Sequence, residues 1–129
     1  MGLAAVRTGL KTNLSTLTDY NVFDYEPKTA PPWAIIIGWP DSYDPRAILA
    51  GDVDLVLPVR IVIPWFDDNS SDDALETAMD TVVAAIESDR TLGAACDDLS
   101  CRPYTDIGAR TMPNDTVVIT FTVPVEVLV

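Results

Sequence analysis

Two stretches of this chain alternate apolar residues with others over more than ten positions, and each carries a proline near its middle. In 53–66, Leu55, Leu57, Val59, Ile61, Ile63 and Trp65 share one face, while Val56, Pro58, Arg60, Val62 and Pro64 share the other. In 116–129, Val117, Ile119, Phe121, Val123, Val125, Val127 and Val129 lie opposite Thr116, Val118, Thr120, Thr122, Pro124, Glu126 and Leu128. A period of two is the signature of a strand whose two faces meet different surroundings. Proline has no N–H to give to a ladder. Pro58 therefore needs an edge, a bulge or an overhang beyond the sheet, and Pro124 needs a stretch where no neighbour requires its N–H.

The remaining segments supply what such strands pack against. Leu3, Val6, Leu10, Leu14 and Leu17 recur at steps of three and four and predict a helix over 3–18. Gly9 within it costs about 1 kcal/mol relative to Ala, so a packing reason such as close approach to a sheet is expected. The aromatic run 20–25 reads as a short strand, followed by a turn at Pro27, Pro31 and Pro32. Residues 33–39 (WAIIIGW) are apolar on both faces and predict a strand covered on both sides. The connection 40–52 has turn chemistry at its ends and an apolar centre at Ile48 and Leu49, and is longer than most connections in compact domains.

The string DDNSSDD at 67–73 ends the long strand and starts a helix over 71–88, with Ser70 or Ser71 as N-cap and Asp72, Asp73 and Glu76 near the positive end of its dipole. Leu75, Met79, Val82, Val83 and Ile86 form its apolar stripe. A brief turn at 91–95, a ragged strand over 99–107 and a turn over 108–115 complete the pattern. The expected architecture is a single α+β domain over 1–129, an antiparallel or mixed β-sheet of about four to five strands carrying two α-helices.

Composition narrows the chemistry. The chain has no histidine, and with it go the commonest general base, proton shuttle and metal ligand. Ser, Thr and Cys nucleophiles have no imidazole to activate them. Read as a calcium loop from Asp67, the acidic string has Asp72 where Gly is needed and Ala78 where the bidentate Glu belongs, so helix capping is the better reading. Cys96 and Cys101 are too few for a structural metal site; their spacing allows a disulfide, but two free thiols are the default without a secretory route. The six glycines form no phosphate-binding fingerprint. With 8 Lys and Arg against 20 Asp and Glu, the net charge of −12 is opposite to what a phosphate backbone attracts. No run approaches the roughly 18 apolar residues of a membrane span, and 1–17 lacks the apolar block of a signal peptide. The expectation is an intracellularly made, unprocessed protein with no catalytic residues, cofactor or metal.

The residue types left for function are those of interfaces. Trp33, Trp39 and Trp65 lie in or beside apolar strands, where core packing and partner contact are both open. Arg60, a charge within an apolar strand, calls for a carboxylate from its own or a neighbouring subunit, or for a solvated outer face.

The order of segments carries a resemblance. A first helix with LAAVRTGL, then NVFDYEP, PPWAIIIGWP, LVLPVRIVIPW, the helix SDDALETAMDTVVAAIESD, the phrase DRTLGAACDDL and a valine-rich last strand together resemble tail terminator proteins of siphophages of actinobacterial hosts. The likeness spans nearly the whole chain and rests on order and spacing. It implies a virion protein of the head–tail junction, assembled in the host cytoplasm as a hexameric ring. The ring would cap the major tail tube protein, end tail growth, receive the head-closure or connector protein and let DNA through without specific binding. For such a ring, the long strands with mid-strand proline, the loop at 41–52 and the Trp and Arg residues make Trp39, Tyr43, Arg46, Ile48, Leu49, Pro58, Arg60, Trp65 and Pro124 the candidates for subunit and tube contacts. Another neck component, either a head-completion or a head-closure protein, is the nearest alternative. A small acidic inhibitor or antitoxin-like module is the alternative of a different class.

Overall fold

The computed structural model describes residues 3–25, 27, 33–40, 54–65, 68–92, 96, 98–111 and 117–128. In chain order these form α1 (Leu3–Leu14), β1 (Asn21–Phe23), β2 (Ala34–Ile37), β3 (Asp54–Pro64), α2 (Asp68–Glu87), β4 (Asp98–Cys101), β5 (Thr105–Thr111) and β6 (Val117–Leu128). The two alternating segments are β3 and β6. They pair antiparallel along all of β3, from Asp54 opposite Leu128 to Pro64 opposite Val118. The sheet is ordered β1-β2-β3-β6, with β4 and β5 in turn along the outer side of β6. Only β1 and β2 run parallel, so the sheet is mixed. Its six strands exceed the four to five expected.

The helix-covered face of the sheet holds the main core. Leu57, Val59, Ile61 and Ile63 of β3, Ile35 and Ile37 of β2, and Phe121, Val123, Val125 and Val127 of β6 meet Val6, Leu10 and Leu14 of α1 and Ala78, Val82 and Ile86 of α2. Burial of a side chain such as Phe121 contributes about 1.5–3 kcal/mol. On the opposite face a smaller cluster joins Ala34, Ile36, Val62 and Val118, with Phe23 packed against it. All four residues of β2 are buried, as expected of a strand apolar on both faces.

The prolines sit directly opposite one another in the β3·β6 register. The Pro58 carbonyl accepts from the Gly38 N–H at 2.8 Å, and the Pro124 carbonyl accepts from the Arg102 N–H at 2.8 Å. Each proline thus turns its polar edge away from the other strand, and the pair needs no N–H between them. Pro58 lies where β3 outruns β2, whose pairing ends at Val59. Pro124 lies in the gap between the end of β4 at Val125 and the start of β5 at Thr122. Each is at an edge on one side only. The Pro58 ring crowds Gly38, where an added Cβ would lie 2.8 Å from Cγ and 3.0 Å from the carbonyl oxygen of Pro58.

Several boundaries differ from expectation. Helix α1 stops at Leu14 instead of 18, because the Ser15 and Thr16 hydroxyls donate to the carbonyls of Lys11 and Asn13 and close the last turn. Helix α2 starts at Asp68, which places Ser70 and Ser71 inside its first turn and not at the cap. Its far end has no glycine cap. Asn13 of α1 instead donates to the Ile86 carbonyl at 3.2 Å, and Ser88 donates to the Asn13 side-chain oxygen at 3.3 Å. Gly9 faces a shallow concavity shared with Asp89 and Leu92, on the side of the turn after α2 and not against the sheet. The ragged strand over 99–107 is two strands, broken at Arg102 and Pro103, and the expected turn from 108 is instead the second half of β5. Cys96 and Cys101 are free thiols.

Candidate functional site

Exposed aromatic surface gathers where the chain leaves the carboxyl ends of the parallel strands β1 and β2. Beyond β2, Gly38 lets the backbone pass the Pro58 ring, and Trp39 follows with 63% of its surface exposed. At the same level beyond β1, Tyr25 is 59% exposed and packs edge-to-face on Phe23, with ring centroids 5.6 Å apart. Single exposed apolar residues are ordinary. Here Trp39 lies on the helix side, under Arg7, and Tyr25 on the helix-free side, over Phe23, so the ends of β1 and β2 carry a large aromatic on each face, a residue type that anchors interfaces.

The corner is fixed from behind by Arg7 of α1. The residue is only 8% exposed, and its guanidinium donates from Nη2 to the carbonyls of Asp24 at 2.5 Å and Ile37 at 2.8 Å and lies 4.1 Å from the centroid of the Trp39 ring. One side chain thereby ties the first helix to the ends of two strands and holds an exposed indole in place. The cation–π contact is worth about 0.5–2 kcal/mol, more as water is excluded from it. Arg7 Nε is buried without a partner, so the guanidinium is not fully satisfied within the described residues. Lys11 and Asp24, 3.7 Å apart and both well exposed, add little. The arrangement presents an ordered indole face and apolar surface, the chemistry of a binding surface.

A second apolar patch lies at one end of the sheet. Trp65, 42% exposed, lies one residue beyond the Pro64·Val118 pair, where Val117 is also exposed. The alternation in the sequence placed both on the core face, but the strand ends before either can be covered. The aromatic corner is level with Pro58, against which Gly38 lies, and the Trp65 patch lies farther along, just past the end of β3.

The other expected contact residues are divided. Tyr43, Arg46, Ile48 and Leu49 lie outside the described residues. Pro58 and Pro124 are half-buried at mid-sheet, where they shape the ladder as described. Arg60 is half-buried on the helix-free face, in a concavity shared with Asp106, Ile36 and Thr122. Trp33 is half-buried against the main core. Arg7, Asn13 and Tyr25 were not foreseen as structural or contact residues. Nothing local in the sequence marks Arg7, because its partners are backbone carbonyls 17 and 30 residues away.

Two further ion pairs among the described residues lie at the exposed margin of β4 and β6. Arg90 and Asp98 form a bidentate pair at 2.8 and 3.2 Å, which holds the Asp98 carboxyl below its ordinary range. Arg102 pairs with Glu126 across the strands. Protein-family models were searched without a match, and no curated protein is significantly similar to the chain.

Proposed function

We propose that this protein is a structural subunit of a long-tailed bacteriophage, a tail-terminator-type protein. As a six-membered ring it would cap the tail tube, end tube polymerisation and present the surface to which the head connector binds. The observation that carries this reading is exposed apolar surface at two separate places along one sheet, Trp39 and Tyr25 beyond β1 and β2, and Trp65 with Val117 beyond β3. A subunit held between a tube and a connector needs two separate contact surfaces, and neither is required to close the core. The segment order that resembles tail terminators supports the same assignment. The charge fits as well: copies carrying −12 each around a channel would repel passing DNA instead of binding it.

In vitro complementation tests this function. Extract from an infection in which this gene carries a nonsense codon is supplied with the purified full-length protein. Rings seated on tube ends and restored joining of heads to tails are expected. Unjoined particles after addition of folded protein would refute the assignment. The Trp39→Ala variant should fold yet fail to complement.

A further inference from the structure

A concavity of about 510 Å³ opens between the turn after α1 and the outer flank of α2, at the amino end of β2 and away from the Trp39 corner. Its described walls are Asp19, Tyr20, Trp33, Thr77 and Thr81. Tyr20 and Trp33 stand edge-to-face, with centroids 5.5 Å apart at 82°. Trp33 adopts a left-handed backbone with φ of 66°, an unfavourable conformation for a bulky residue. It is held there in part by the Asn21 N–H, which donates to the Trp33 carbonyl at 2.8 Å. Strain of this kind persists only where the surroundings enforce it, and here it sets the indole in the wall of a cavity.

The polar groups all suit one kind of guest. Asp19 brings a carboxylate and the two threonines bring hydroxyl oxygens, and no cationic residue is among the described walls. Burial, helped by the Asp19 charge, holds the Tyr20 hydroxyl above its ordinary value, so it stays neutral. Helical spacing places Thr77 and Thr81 on one flank of α2 and Glu76 and Asp80 on the other. The cavity is thus a distinct surface of hydroxyls and rings beside the acidic flank, not part of it.

We propose that this cavity receives an arginine side chain of a partner protein, with the guanidinium lying on the Trp33 and Tyr20 rings and donating to Asp19 and the threonine hydroxyls. Arginine suits the site better than lysine. Its planar, weakly hydrated cation stacks on aromatic faces and spreads several donors over several acceptors, whereas an ammonium keeps its water more firmly. A protein of charge −12 also favours the approach of a cationic segment. The site does not depend on ring formation, and a monomer would bind equally well.

NMR titration of the full-length protein with N-acetyl-arginine methylamide tests this, with the citrulline analogue as a neutral control of the same shape. Saturable shifts confined to the Trp33 indole, Tyr20, Thr77 and Thr81 are expected. Loss of the charge in citrulline, or of the carboxylate in Asp19→Asn, should weaken binding about tenfold, the equivalent of 1.4 kcal/mol. Thr77→Val, at an exposed helix position, should weaken binding with no change in thermal unfolding. Equal binding of citrulline, indifference to Asp19→Asn, or shifts spread over Asp72, Asp73 and Glu76 instead of the cavity would each overturn the proposal.

Discussion

The main core and the aromatic corner are built from the same strands and do opposite things with their large side chains. Around Phe121, apolar residues from both helices and from β2, β3, β4 and β6 close completely, and Leu10, Leu14, Ile61 and Phe121 are fully buried. At the corner, Trp39 and Tyr25 remain mostly exposed although they are well held, one under the Arg7 guanidinium and the other on Phe23. Order without burial is what separates them. The core is ordered by exclusion of water, whereas the corner is ordered by one buried cation and two carbonyl hydrogen bonds, and its apolar surface is left for something else to cover. Substitutions in the first region should therefore read out as stability, and substitutions in the second as assembly.

The largest expected effect is in the core. Phe121→Ala should lower unfolding free energy by about 3–5 kcal/mol, measured by urea denaturation, which for a domain of this size is a large share of the total. Arg7→Met joins the two regions. It removes both hydrogen bonds and leaves the Asp24 and Ile37 carbonyls without that donor, a loss of about 1–3 kcal/mol, and it should also change Trp39 fluorescence. An unchanged emission spectrum would show that the corner does not need its arginine. Gly38→Ala drives a methyl into Pro58 and should cost about 1–3 kcal/mol. Part of that loss should return in the double variant with Pro58→Ala, because the Cγ contact goes while the carbonyl contact remains. Trp39→Ala sharpens the contrast most: thermal unfolding should move little, within about 1 kcal/mol, while complementation is lost.

The smallest effect concerns Cys101. Burial, and then the charge of Glu87, push its thiol from the ordinary 9.0 up to about 11. Alkylation at pH 8 should therefore be much slower than after unfolding. The unfolded chain releases this proton near 9 and the native chain only near 11, so the unfolded state binds fewer protons in that window. Stability should fall as pH rises from 9 to 11, and Cys101→Ser should remove that part of the slope.

What the sequence made legible follows from where each residue's partners lie. The alternation in β3 and β6 is visible because one face meets a core, and their prolines announced one-sided edges for a covalent reason that no packing can override. The seven residues of β5 (TDIGART) carry no such signal. They lie at the margin of the sheet with side chains largely exposed, and their strand geometry comes from pairing with β6, with a register shift between Thr105 and Gly108. The end of α2 was misplaced by little, but its cap is Asn13, more than 70 residues earlier, and only the fold brings the two together. The corner was half visible. Trp39 stands out by residue type, while Arg7 carries no mark, because an arginine that binds backbone carbonyls leaves no complementary residue in the sequence to find.

The most direct test of the proposed role is the tail-length distribution, seen by electron microscopy, in lysates of a phage that encodes this chain and carries a nonsense codon in its gene. Termination of tube growth predicts full heads beside abnormally long, unattached tails. Tails of normal length beside detached or leaking heads would contradict it and place the protein on the head side of the joint, and intact virions would contradict any role in assembly.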